Sequence, residues 1–153
     1  MIDINNIIDD FIMICQISQI NLKKSDIKIE ILTPGLNHIP KALPSGHIAV
    51  YIFQDNATCY KVGKAHENSN ARYQYQHYQP NSSKSNLAKS MISDKNFVTP
   101  DNIDLWIKQN LTRINLLLKK DAGILTLNLL EAFLHCRLNP KYEGYASQSL
   151  NVN

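Results

Sequence analysis

HIAVYIFQDNATCYKVG, residues 47–63, decides how this chain is built. His47–Phe53 is a continuous, largely β-branched apolar run, which predicts a buried strand. Gln54–Thr58 carries turn chemistry, and Cys59–Gly63 reads as a second strand, so the segment predicts a β-hairpin. With a five-residue loop, Phe53 falls opposite Cys59 and Tyr51 opposite Lys61, and paired residues share a face. A register one pairing step shorter sets Tyr60 opposite Tyr51 instead. Either way a tyrosine faces a second protonatable group on a rigid scaffold. Taken alone, an amphipathic hairpin with a solvated lysine is the better explanation of the pattern.

Outward from the hairpin, ILTLNLLEAFLHCRLNP (124–140) predicts the final long helix. Asn128, Glu131, His135 and Asn139 form a polar line on one of its faces. A carboxylate among Leu127, Leu130, Phe133 and Leu134 has a raised pKa, pairs with a base, or binds a metal ion. Upstream, Ile4, Ile7, Ile8, Phe11, Ile12 and Cys15 recur at helical spacing behind Asp3 as N-cap. This helix offers an apolar face to its own domain or to a second copy. IKIEIL (27–32) alternates as a strand or extended arm, and the Pro- and Gly-rich stretch 33–46 is a connector. Asn70 caps a short helix ended by Pro80, Ser82 or Ser83 starts another through Ile92, and Thr99-Pro100-Asp101 starts a third. RINLLL (113–118) is a further strand. If the helix after Asn70 ends early, His77 can reach the same site as Arg72.

A chain of 153 residues, 44% hydrophobic and 19% charged, is most simply one globular domain. No apolar run reaches membrane-span length and no basic-then-apolar leader opens the sequence, so a cytoplasmic protein is expected. Cys15, Cys59 and Cys136 are odd in number and scattered, which suits a reducing compartment and lacks zinc-site spacing. Residues 1–60 hold four Lys/Arg against six Asp/Glu, whereas 61–153 hold twelve against seven. Within 61–93, Lys61, Lys64, Arg72, Lys84 and Lys89 face only Glu67. Such a surface suits a polyanion, although charge alone favours an ordinary solvated face.

AVYIF, then YKVGKA, then NARYQYQH, then an apolar helix with one glutamate and a trailing Asn-Pro resembles the GIY-YIG nuclease superfamily. Ala49-Val50-Tyr51 matches its first half-motif and Lys61-Val62-Gly63 its second. Arg72 matches the helix arginine, Glu131 the metal-binding glutamate and Asn139 the trailing asparagine. The likeness extends over 46–144, and its details are similar to a group of small bacterial members. Lys61 stands where the second tyrosine is usual, with Tyr60 just before it, as in some restriction-type members. The long interval from Arg72 to Glu131 implies an inserted helical segment around 82–110. The fold so implied is α+β: a small, mostly antiparallel sheet of about three strands flanked by helices. Residues 1–45 then form an N-terminal helix and extended arm, and 145–153 a flexible tail.

The resemblance implies a divalent-metal-dependent endonuclease acting on DNA, duplex rather than RNA, in restriction, phage defence or a mobile element. One Mg²⁺ or Mn²⁺ on Glu131, completed by waters, neutralises charge at phosphorus and assists the departing 3′ oxygen. Arg72 binds the same phosphate through a permanently charged fork. Tyr51 is the expected general base, with Lys61 favouring the phenolate or else holding phosphate; Tyr60 and His77 are further catalytic candidates. Lys64, Lys84 and Lys89 are expected on the nucleic-acid backbone. His135 and Asn139 are expected to orient Glu131 or to end its helix. Cutting both strands with one site per subunit needs a homodimer or two successive nicks. The competing expectation is a nucleic-acid-binding module with the same fold and little hydrolytic activity.

Overall fold

The computed structural model describes residues 2–56, 58–82 and 86–142 of the chain. Four strands, β1 (Lys28–Leu32), β2 (His47–Gln54), β3 (Cys59–Ala65) and β4 (Thr112–Lys119), form one sheet in the order β1-β4-β2-β3. Every pairing is antiparallel. The fold class is therefore α+β as expected, with four strands in place of about three. The extra strand is β1, which leaves the N-terminal arm to pair with β4 from Lys28↔Leu117 to Leu32↔Arg113.

Helices cover both faces of the sheet, which is why β2 and β4 read as unbroken apolar runs. Val50, Ile52, Val62, Ile114, Leu116 and Leu118 face α1 (Ile4–Ile17) and α5 (Ile124–Leu138). Phe11 and Phe133 join these two helices, with ring centroids 5.8 Å apart. The apolar face of α1 is thus spent on its own sheet, and Asp3 caps it by accepting the Asn6 N–H (3.2 Å). Ala49, Tyr51, Phe53, Ala65 and Leu117 face the other layer. That layer holds α2 (Asn70–Gln74), a 3-10 turn at Gln76–Tyr78, α3 (Leu87–Ser93) and α4 (Ile103–Asn110). Among the described residues, no helix is long and apolar enough to cross a membrane.

The helix starts differ from the sequence expectation in three places. Asn86 and Asn102, accepting from Lys89 N–H (2.7 Å) and Leu105 N–H (3.0 Å), cap α3 and α4. Neither Ser82 nor the Thr99–Asp101 segment does so. Ser82 Oγ instead donates within the preceding turn, to the carbonyls of Gln76 and Gln79. Asn70 is the first residue of α2 and spends its side-chain oxygen on the Leu43 N–H (2.8 Å). That bond fastens the 33–46 connector to the domain. His38 fastens it again, its Nδ1–H donating to the Leu111 carbonyl (2.9 Å) while its Nε2 accepts from Tyr78 (2.7 Å).

The hairpin register also departs from both expectations. Asp55 closes a tight loop, its backbone N–H reaching Thr58 O (3.1 Å) and its carboxylate taking the Thr58 N–H (2.7 Å). Gln54 then pairs with Cys59, a bulge intervenes, and Phe53 pairs with Lys61 and Tyr51 with Gly63. The bulge leaves Tyr60 as the extra residue. A two-residue displacement preserves the face, so Lys61 still shares that of Tyr51, but its direct partner is Phe53.

Candidate functional site

Two cross-strand rows organise the face of the sheet beneath α2 and α3. One runs Asn115–Tyr51–Gly63 and the next Arg113–Phe53–Lys61. Glycine at position 63 lets the Tyr51 ring lie across β3, because a Cβ there would come within 2.7 Å of the ring. The phenol thereby reaches the outer edge of the sheet. Its hydroxyl sits 3.4 Å from the Lys64 carbonyl.

Two further groups meet that hydroxyl. The α-helix beginning at Asn70 ends at Gln74, and the 3-10 turn after it swings His77 inward. His77 Nε2 lies 2.6 Å from Tyr51 Oη, and Arg72 Nε donates to the same oxygen at 3.1 Å. His77 Nδ1 accepts the backbone N–H of Leu87 at 3.3 Å, at the start of α3. A backbone amide can only donate, so the ring proton resides on Nε2 and points at Tyr51. Burial, then the charges of Arg72, Arg113 and Lys61, holds His77 well below the usual histidine range, which keeps it neutral. Tyr51 therefore accepts from two donors and offers its own hydrogen to the Lys64 carbonyl. That last bond, the longest of the three, is the one most easily redirected to an incoming ligand.

Burial pushes the Tyr51 pKa up, and the cations Arg72 and Arg113 oppose it. The resting group is a phenol in a positive environment. Arg113 was missed from sequence. It is 1% exposed, the largest fully buried side chain, and it has no ion-pair partner among the described residues. Its nitrogens donate to Asn115 Oδ1 (2.8 Å), the Tyr73 carbonyl (2.6 Å) and Tyr78 Oη (3.4 Å). The rings of Tyr73, Tyr51 and Phe53 surround its guanidinium at 4.7, 5.2 and 5.3 Å. The signal was available: a charged residue opening the apolar run RINLLL poses the same question as Glu131 does in its helix.

Lys64 points to the opposite face, toward α5, where its Nζ sits 2.7 Å from Glu131 Oε2. Glu131 contributes negative charge felt at Tyr51. Of the three readings of this glutamate, the structure displays pairing with a base. The edge of β3 thus carries Tyr51, Arg72 and His77 around one oxygen, with the Lys64–Glu131 pair alongside. Lys61 is buried next to Phe53, and its charge acts on His77.

Several expected members lie elsewhere. Tyr60 donates to Asp55 Oδ2 (3.0 Å) and packs on Tyr142, with ring centroids 6.0 Å apart. Burial and the Asp55 carboxylate push its pKa up to about 12, and its hydroxyl is committed to Asp55. His77, by contrast, is at the site, 1% exposed with both nitrogens engaged, on Tyr51 and on the Leu87 N–H. Lys89 is exposed on α3. Asn139 adopts the left-handed conformation (φ 42°) that ends α5, its N–H bonding the His135 carbonyl and not that of Glu131. His135 lies one turn beyond Glu131 and is half-buried. Lys84 and the tail 145–153 lie outside the described residues.

No group of three or more His, Cys, Asp or Glu side chains gathers to hold a metal among the described residues. The protein donor for a dication would be the Glu131 carboxylate, since the Tyr51 oxygen already accepts from Arg72 and His77. An ammonium already stands against that carboxylate. This donor fits an ion held by one carboxylate and completed by water and phosphate. A cleft of about 490 Å³ bordered by Lys28, His47, Lys119 and Asp121 contains none of these groups. No protein-family model matches the chain, and no curated protein and no solved structure is significantly similar to it.

Proposed function

We propose that this chain is a divalent-metal-dependent endonuclease of the GIY-YIG kind that hydrolyses DNA phosphodiester bonds. The observation that carries the reading is the convergence of Arg72 and His77 on the Tyr51 hydroxyl, at the sheet edge where Glu131 arrives from the other face. Arg72, Lys61, Lys64 and the buried Arg113 outnumber the single carboxylate, as suits a polyanionic substrate.

Each group has a task. Arg72 commits Nε to Tyr51, and among the described residues its terminal nitrogens meet no acceptor, which leaves them for phosphate. Such a contact, aimed at charge that grows in the transition state, contributes on the order of 3–4 kcal/mol. The Tyr51 phenol first gives its proton to bulk water, and the resulting phenolate oxygen then orients the attacking water and takes one proton from it. The donors Arg72 and His77 stabilise the phenolate that precedes this. A dication bound through Glu131 would supply Lewis acidity at the phosphate and at the departing 3′ oxygen.

The experiment is plasmid nicking with Mg²⁺ or Mn²⁺. Glu131→Gln should lose cutting while still binding DNA, and undiminished cutting would remove Glu131 from catalysis. The Lys64–Glu131 pair favours a second reading, a nucleic-acid-binding module in which that carboxylate is merely neutralised. That reading predicts salt-sensitive DNA binding with no cleavage under any metal.

A further inference from the structure

We propose that Lys64 is a tethered counter-ion, occupying the cation seat on Glu131 until substrate phosphate draws it away. The inference rests on the nuclease reading and specifies how that site is regulated. Three observations support it. The ammonium lies 2.7 Å from Glu131 Oε2, as close as a strong charge-assisted bond allows. The pair sits at the open edge of β3, with the lysine side chain 27% and the glutamate 15% exposed, so Lys64 has solvent into which to move. The Lys64 carbonyl also holds the hydrogen of Tyr51, so one residue touches both the proposed base and the proposed metal ligand.

A dication on one oxygen of the carboxylate and an ammonium on the other repel each other across a few ångströms. Metal therefore binds most tightly the fraction of molecules in which Lys64 has let go, and its apparent affinity is lowered accordingly. The flexible four-carbon stem lets the ammonium swing away, and a DNA phosphate at Arg72 gives it another anion to join. Phosphate that removes Lys64 opens the seat, and by linkage metal on Glu131 frees Lys64 for phosphate. The two ligands then bind cooperatively, and the chain carries little metal without substrate.

The test is Mn²⁺ binding to the full chain without nucleic acid, with free Mn²⁺ followed by electron paramagnetic resonance. Lys64→Gln should bind Mn²⁺ more tightly than the wild type by on the order of tenfold. Lys64→Arg should remain as weak as the wild type. Adding Glu131→Gln to Lys64→Gln should abolish the gain. Lys64→Met serves in place of the amide should Lys64→Gln fail to fold. Equal affinities in wild type and Lys64→Gln would overturn the proposal, as would a gain that survives Glu131→Gln. Nicking by the wild type alongside equal affinities defeats the counter-ion role and leaves the nuclease. A Glu131-dependent gain in Mn²⁺ binding, with no nicking by any chain, upholds the cation seat and defeats the nuclease.

Discussion

The ring of Tyr51 lies across Gly63, its direct partner on β3, so closely that a methyl group at position 63 would sit 2.7 Å from the aromatic carbons. Tyr51 is also wedged against Phe53, Tyr73 and His77, with ring centroids 6.1, 6.3 and 4.8 Å away, so it has little room to retreat. Gly63→Ala should therefore cost about 1–3 kcal/mol through overpacking. Cleavage should fall about a hundredfold, because the hydroxyl shifts relative to Arg72. Chemical denaturation and nicking rates on the same preparation check both; an unchanged variant would mean that the ring does not rest on Gly63.

Tyr51→Phe keeps the ring and removes only the oxygen. His77 Nε2–H and Arg72 Nε–H then lose their acceptor, at about 1–3 kcal/mol for a buried unsatisfied group. Nicking should drop by at least a hundredfold, the range for losing a positioned acid or base, while DNA binding persists. Wild-type cutting rates in this variant would exclude Tyr51 as the base.

Arg113 is a buried cation held by hydrogen bonds and ring faces, with no acid partner among the described residues. Arg113→Met leaves Asn115 Oδ1 and the Tyr73 carbonyl without a donor, and should lower stability by about 2–4 kcal/mol in urea unfolding. Arg113→Lys should not restore it, since a single ammonium cannot serve three directions and stack on planar rings. Full recovery with lysine would show that charge alone matters there.

His38 is buried, and desolvation lowers its pKa to about 4 from 6.5. Between those values the unfolded chain takes up a proton that the folded chain refuses. Stability should thus be fullest above the unfolded pKa and decline as pH falls toward about 4, by roughly 1.4 kcal/mol per pH unit. His77 is displaced in the same direction and adds to the decline. Urea unfolding at a series of pH values should show a shallower acid slope in His38→Gln. An identical slope would mean that His38 does not titrate with folding.

Local patterns made much of this protein legible. The apolar run at 47–53, the helical spacing behind Asp3 and the long apolar stretch at 124–138 became β2, α1 and α5 because length and local pattern specify each of them. Glu131 stood out as an expensive group in an apolar helix, and Tyr51 and Arg72 through the resemblance; the structure sets Arg72 on the Tyr51 hydroxyl and Glu131 on Lys64. The early helix stop that Pro80 permits was also readable, and with it the inward turn of His77. Arg113 carried the same signal as Glu131, a charge within an apolar element, and only its placement under three aromatic rings revealed its weight.

What tertiary structure decided was registry and partnership. The shorter loop closed by Asp55 and the bulge after Phe53 together moved Lys61 from Tyr51 to Phe53, and no propensity encodes that registry. The arm at 28–32 became a fourth strand only because β4 offered an open edge some eighty residues later. Glu131 meets Lys64 for the same reason: α5 crosses the sheet beside β3, and contacts distant in sequence are fixed by how layers pack. Periodicity reports which way a side chain faces. The identity of the neighbour it meets belongs to the folded chain.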